Sequence, residues 1–315
     1  MTKYRIMTFD GGGVRGALTA VLVKRLADVV PNLLEQVDLF AGTSTGSVIA
    51  LALASGVSAG SLVEFYSKKN LRSVFSPSRW NLFRPKFKNK RFRKLLEKHL
   101  SDDRKLKDLK KHKVMVTTFQ LYNDEENNWY PHFIHNYTDD PNSTYLCEKV
   151  VDCALRSAAA PTVFPSHQGF VDGGMIANNP STPAVAVALR HEPNLALSDI
   201  CLLSVGTGRT RMIVKGGAKN WGVVQWMFNP FCTPSEPLLN ILFDGVVNAD
   251  HFMTKQLLRD RYCRLNPPLA KPTLLDDWKA VPQLIKTAQD FDLGPTITWL
   301  NNNWSSPIPS SPAVP

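Results

Sequence analysis

The 315-residue chain has no uninterrupted apolar run of about 18 residues or more, so no segment reads as a transmembrane helix. Cysteine is scarce and irregular. Cys147, Cys153, Cys201, Cys232 and Cys263 are odd in number, widely spaced and without a CxxC pair. That pattern excludes a disulfide framework and predicts free, mostly buried thiols in a reducing, cytoplasmic setting. The first residues run straight into a strand-like segment ending at Asp10, which is not the pattern of a secretory signal. No internal repeat and no interdomain linker is visible. With 43% apolar and 20% charged residues, the chain can bury a sizeable core, and global disorder is excluded.

Acidic residues are short in one place. Residues 68–113 hold 18 Lys and Arg against 4 Asp and Glu, a balance of +14, whereas the whole chain carries +10. The rest of the chain is therefore mildly acidic, and the cationic excess is a single segment. Trp80, Phe83, Phe87 and Phe92 are interleaved there with Arg79, Arg84, Lys86, Lys88, Lys90, Arg91 and Arg93. Basic plus aromatic side chains suit peripheral contact with an anionic membrane surface, and the segment is also placed to act as a lid. A solvated helix face or a grip on nucleic acid fits the charge alone.

Strand-like runs alternate with helical ones. Tyr4–Phe9, Val37–Ala41, Val114–Phe119, Trp129–His135, Gly169–Asp172 and Ile200–Val205 read as strands. Val14–Val30, Ser47–Ala54, Asn89–Leu100, Cys147–Ala160, Thr182–Arg190 and Pro237–Arg259 read as helical. The alternation predicts an α/β fold with a largely parallel central sheet covered on both faces. Residues 1–304 read as one domain, followed by a Ser/Pro-rich tail over 305–315.

Three glycine-rich junctions carry the chemistry. In Asp10-Gly11-Gly12-Gly13-Val14-Arg15-Gly16, adjacent glycines after a strand expose backbone N–H groups at a helix start, which suits a phosphate or a transient oxyanion. Gly11, Gly13 and Gly16 also satisfy G-x-G-x-x-G. A dinucleotide turn, however, wants an acidic residue at the end of the second strand, and Asp38 lies at its start. Gly42-Thr43-Ser44-Thr45-Gly46 fits G-x-S-x-G between strand and helix, a nucleophile elbow, with a helix cap as the plainer reading. Val171-Asp172-Gly173-Gly174 places a carboxylate at a strand end, and alone it reads as a turn aspartate. His191 and His251 follow Asp172, so the order Ser, Asp, His of an α/β-hydrolase is arithmetically open. Ser44 comes after only two strands, earlier than that topology expects, and neither histidine lies in a distinctive loop.

Together these junctions resemble the patatin-like phospholipase family. Ala160-Pro161-Thr162-Val163-Phe164-Pro165, Asn178-Asn179-Pro180 and Ser204-Val205-Gly206-Thr207-Gly208 extend the likeness. It runs from about Tyr4 to Gly208, with plausible helical continuation to about Asn266. The resemblance implies a three-layer α/β/α fold distinct from the α/β-hydrolase topology. It implies a Ser44–Asp172 dyad and an oxyanion hole from the backbone of Gly11, Gly12 and Gly13. Gly42, Gly46, Gly173, Gly174 and Arg15 are expected in support. The expected activity is hydrolysis of acyl esters in phospholipids or lysophospholipids, without metal or organic cofactor, and nucleic acid is not an expected partner. Another carboxylic-ester hydrolase of the same fold, or an anion-binding regulatory protein using the basic segment, are the competing readings.

Overall fold

A computed structural model describes residues 3–78, 83–123, 127–138, 144–210, 214, 218–229 and 237–304. The tail over 305–315, Arg79, Trp80 and Cys232 lie outside the described residues. The elements are β1 (Tyr4–Phe9), α1 (Gly16–Val29), β2 (Leu39–Thr43), α2 (Thr45–Ala54), α3 (Ala59–Phe65), α4 (Lys68–Val74), α5 (Lys90–Leu100), β3 (Lys113–Asn123) and β4 (Asn128–His135). Then come α6 (Val150–Ser157), β5 (Phe170–Asp172), α7 (Gly174–Ala177), α8 (Ser181–His191), β6 (Ile200–Val205), α9 (Val223–Met227) and α10 (Pro237–Asn240). A π-helical turn (Ile241–Gly245) leads into α11 (Val246–Leu258), β7 (Tyr262–Leu265), α12 (Val281–Asp290) and α13 (Gly294–Asn303).

The strands form one mixed sheet in the order β4-β3-β2-β1-β6-β7. The β1–β2, β1–β6, β2–β3 and β6–β7 pairs are parallel, whereas β4 and β5 run antiparallel to β3. Alternation along the strands sorts the core into two layers. Met7, Phe9, Phe40, Val114, Val116 and Leu203 face the cluster built with α1, α2, α5 and α6. Ile6, Leu39, Ala41, Met115 and Leu202 face the smaller cluster with α8 and Leu258 of α11. Side chains one residue apart on a strand point to opposite faces, so the two clusters are the two faces of one sheet. This is the three-layer α/β/α arrangement expected from the sequence.

One feature of the sheet positions the site. β4 occupies one edge of β3 through Met115–Gln120. On the other edge, β2 pairs with β3 only as far as Thr43 opposite Thr117. β5 then takes over that edge from the opposite direction, with Asp172 opposite Thr118. A strand has two hydrogen-bonding edges, so β2 and β5 share one lane and meet end to end.

Local boundaries depart from the sequence reading where backbone geometry intervenes. The first helix begins at Gly16 because a 3-10 turn, Gly13–Arg15, precedes it. The second strand is shifted to Leu39–Thr43, and the helix expected over Cys147–Ala160 is confined to Val150–Ser157. The helix expected over Pro237–Arg259 is broken by the π-helical turn. Cys153 and Cys201 are buried, Cys263 is half-buried, and Cys147 is exposed.

Candidate active site

Ser44 sits between β2 and α2 with φ 54° and ψ −120°, a conformation that side-chain-bearing residues rarely adopt. The turn is possible because its flanks are bare. A Cβ on Gly42 would lie 2.1 Å from the Gly46 carbonyl oxygen, and one on Gly46 would lie 2.1 Å from that of Phe9. Both obstacles are backbone, which cannot swing aside, so only glycine fits the elbow. The Ser44 amide donates to Ser157 Oγ at 2.9 Å, and the Ser44 carbonyl accepts from the Ser47 and Val48 amides. The hydroxyl thus stands at the positive end of α2.

Asp172 is wholly buried at the end of β5. Its Oδ2 accepts the Ser44 hydroxyl at 2.6 Å, and its Oδ1 accepts the Gly174 amide at 2.7 Å. Burial pushes the carboxyl up to about 7, against the opposing pull of those two hydrogen bonds. Gly173 packs against Thr117, where a Cβ would meet the Thr117 carbonyl oxygen at 2.3 Å. Gly174 lies against the Phe243 ring.

The glycine turn after β1 faces the same place. A Cβ built on Gly11 would fall 3.2 Å from Ser44 Cβ. The Gly11 amide is committed to the Asn178 carbonyl at 3.0 Å, and Thr207 Oγ1 donates to the Gly11 carbonyl at 2.9 Å. Among the described residues, the amides of Gly12 and Gly13 have no hydrogen-bond partner. Gly13 has φ +57°, and a Cβ there would strike the Leu275 carbonyl. Arg15 is buried, pairs with Asp244 at 2.8 Å, and aims Nε at the Gly12 carbonyl at 3.4 Å.

One supporting residue, Arg264, gave no sequence signal of its own. Arg264, on β7, forms a two-pronged pair with Asp10, with Nη1 to Oδ1 at 2.7 Å, and reaches Ser204 Oγ. It therefore pins the residue that starts the glycine turn. A four-residue strand with one charged side chain and no neighbouring motif gives no hint of this role. Asn178 donates through Nδ2 to the Phe243 carbonyl and accepts the Gly11 amide at its own carbonyl, so the Asn-Asn-Pro segment ties the glycine turn to the π-helical turn, while Asn179 accepts from the Ser181 hydroxyl. His191 stacks on the Tyr137 ring, and His251 contacts the Tyr262 hydroxyl. The Ser44 hydroxyl is instead given to Asp172.

Beside Ser44 opens a largely apolar pocket. Its walls include Leu71, Val74, Phe75, Phe92, Val163 and Phe164. Phe75, Phe87 and Phe164 pack together with ring centroids 5.3 to 5.9 Å apart. Two of the aromatics assigned from sequence to a membrane face, Phe87 and Phe92, thus turn inward, whereas Phe83 is exposed. Several cations of the same segment are held within the chain: Arg93 by Asp152 at 2.6 Å, Lys86 by Asp276 at 3.5 Å, and Lys98 by Glu64 at 3.7 Å. Among the described residues, no group of three or more His, Cys, Asp or Glu could hold a metal ion, and no helix is long and apolar enough to cross a membrane.

The family model described as patatin-like phospholipase matches residues 7–185. The CotR protein of Bacillus subtilis (strain 168) is 35% identical, over 97% of this chain and all of that protein. Protein teg of Priestia megaterium is also 35% identical, over 97% of this chain and all of its own length. A protein of Vibrio cholerae named cGAMP-activated phospholipase is 28% identical, over 65% of this chain and 64% of its own.

Proposed function

The chain belongs to the patatin-like phospholipase family, and from that premise we propose that it hydrolyses carboxylic esters of glycerophospholipids or lysophospholipids through Ser44 and Asp172. The observation that carries this reading is the 2.6 Å hydrogen bond from the Ser44 hydroxyl to a buried carboxyl whose pKa is pushed up to about 7. An ordinary carboxylate is a weak base for an alcohol. A base whose pKa approaches the working pH transfers protons far more effectively.

Ser44 Oγ attacks the acyl carbonyl while its proton passes to Asp172 Oδ2. The carbonyl oxygen gains negative charge and is met by the unoccupied amides of Gly12 and Gly13. Removing one such donor typically costs about 10² to 10³ in rate. The tetrahedral intermediate collapses, the ester C–O bond breaks, and Asp172 returns the proton to the departing alcohol. A water then gives its proton to Asp172 and attacks the acyl-Ser44 ester; as that C–O bond breaks, Asp172 returns the proton to Ser44 Oγ and the fatty acid is released. The pocket suits the acyl chain, since its walls are mostly hydrocarbon and aromatic surface beside the nucleophile. α4 and α5 contribute Leu71, Val74 and Phe92 to the walls of that pocket, which gives the basic segment a structural part in it.

A regulatory protein that grips anions through residues 68–113 is the less favoured reading, because Lys86, Arg93 and Lys98 are engaged by carboxylates of this chain. Lipid product analysis on a mixed phospholipid panel tests the proposal. Free fatty acid should appear with the unaltered protein and vanish with Ser44→Ala. Equal release by a folded Ser44→Ala protein removes Ser44 from the mechanism.

A further inference from the structure

We propose that the protein holds a phosphate group in a second, polar crevice, between the loops that follow β1 and β6. β1 lies between β2 and β6, and all three strands are parallel. The chain leaving β1 enters α1, whose Leu18 and Leu22 belong to the larger core cluster on one face of the sheet. The chain leaving β6 reaches α11, whose Leu258 belongs to the cluster on the other face and which packs against α8. The two loops therefore part to opposite faces, and a gap opens beyond the strand ends. In open α/β sheets ligands settle at such a reversal, outside the carboxyl ends of the strands. Here a cavity occupies it. Its lining includes Asp10 and Arg15 after β1, Thr207, Arg209 and Thr210 after β6, and Asn266 after β7.

The chemistry of the lining selects the ligand. Both acids that face the crevice are already held by arginines, Asp10 by Arg264 and Asp244 by Arg15. Hydrogen-bond donors are left over. Arg15 gives Nη2 to Asp244 and Nε to the Gly12 carbonyl, and its Nη1 has no partner among the described residues. Arg209, whose amide donates to the Pro267 carbonyl at 2.9 Å, has no acidic partner among the described residues. The Thr210 hydroxyl is buried with no hydrogen bond, a cost that a ligand oxygen recovers. Asn266 accepts the Gly208 amide at Oδ1, at 2.8 Å, which leaves its Nδ2 to donate. With the two ion pairs neutral, Arg209 makes the crevice cationic. Surplus donors from three loops and acids already engaged suit a compact anion with several acceptor oxygens, and guanidinium groups meet phosphate oxygens in pairs. Arg15 and Thr207 also brace the Gly12 and Gly11 carbonyls, so a phosphate seated beside them bears on the turn that presents the Gly12 and Gly13 amides.

Binding is read without any ester, so its test is separate from that of the hydrolase reading. Titration calorimetry with inorganic phosphate, against chloride at matched ionic strength, should show one saturable site. Arg209→Ala should weaken it about tenfold. Thr210→Val keeps the shape but removes the hydroxyl, and should weaken it about threefold or more. Lys90→Ala, at an exposed cation of the basic segment, should leave it within about twofold. Phosphate should raise the thermal midpoint of the unaltered protein and raise that of Arg209→Ala less at the same concentration, while midpoints in chloride check that each variant is folded. Turnover identifies the source of the phosphate. A substrate headgroup is indicated when inorganic phosphate competes with phospholipid cleavage and leaves a phosphate-free short-chain ester untouched. A free ligand is indicated when phosphate alters turnover of both substrates alike. The proposal is overturned by absence of saturable phosphate binding, by binding that survives in full in both Arg209→Ala and Thr210→Val, or by binding that falls as much with Lys90→Ala. Phosphate binding by a protein that cleaves no ester would instead sink the hydrolase reading and leave the crevice standing.

Discussion

Replacing Asp172 by Asn should abolish turnover and stabilise the protein, and the stabilisation should depend on pH in a fixed direction. The amide is nearly isosteric. Its oxygen can keep the Gly174 amide and its NH₂ can face Ser44 Oγ, so the geometry survives while the base is lost. In the folded chain the carboxyl titrates at about 7, against an ordinary value of 3.8. Between those values the folded chain keeps a proton that the unfolded chain has released, so stability falls as pH rises through that window and levels off above it. At about 1.4 kcal/mol per tenfold, the cost of the buried carboxylate above pH 7 is roughly 4 kcal/mol. Asp172→Asn removes that cost. The variant should match the unaltered protein below about pH 4 and exceed it by roughly 4 kcal/mol above about pH 7. Urea unfolding at pH 4, 5.5 and 8 reads the difference. On a soluble ester, kcat/KM of the unaltered protein should fall about tenfold per pH unit below about pH 7, and the variant should lie about 10² to 10⁴-fold lower. Parallel stability curves from acid to alkali, or full activity at pH 5, would refute the argument that burial sets the base strength of this carboxyl.

Ser44→Ala should lose turnover, and the Asp172 carboxyl should move further up, because one of the hydrogen bonds that lowers it is gone, so the thermal midpoint should fall at pH 8 relative to its value at pH 4; fatty-acid release and calorimetry at the two pH values check both. Gly46→Ala drives a methyl into the Phe9 carbonyl and should cost on the order of 1–3 kcal/mol or prevent folding, read by urea unfolding. Arg264→Met leaves Asp10 buried without its cation and should cost about 3–5 kcal/mol; Arg264→Lys should recover part of that loss. Phe75→Ala opens the aromatic end of the pocket, so the preferred acyl length in a series of soluble esters should rise; an unchanged preference would place the acyl chain elsewhere.

The parts of the fold legible in the sequence are those in which a local pattern does the work. Tyr4–Phe9 and Ile200–Val205 are short, mostly apolar runs leading into glycine-rich turns, and both are strands over those bounds. The three junctions could be read because glycine marks places where backbones nearly touch, as at Gly42 and Gly46. β7 escaped notice because Tyr262–Leu265 is only four residues with a charged side chain inside it, and its strand character comes from pairing with β6. The inward turn of Phe87 and Phe92 was equally hidden. Interleaving with cations looks the same whether the rings face lipid or a pocket, and only packing against Phe164 decides. Arg264 was invisible for a related reason, since its partner Asp10 lies 254 positions away.

The end-to-end meeting of β2 and β5 along β3 has a bearing on how such a chain can change. Hydroxyl and carboxyl are 128 positions apart, yet each hangs from a strand end fastened to neighbouring rungs of one ladder, Thr117 and Thr118. Movement of that ladder carries both groups together, so their separation is insulated from drift in the rest of the molecule. The helices and loops between α2 and β3, which supply Leu71, Val74 and Phe92 to the pocket, are free to grow, shrink or be exchanged without disturbing the reacting pair. Substrate range can thus be remodelled by grafting within that stretch, while a single slipped residue in β3 would silence every version alike.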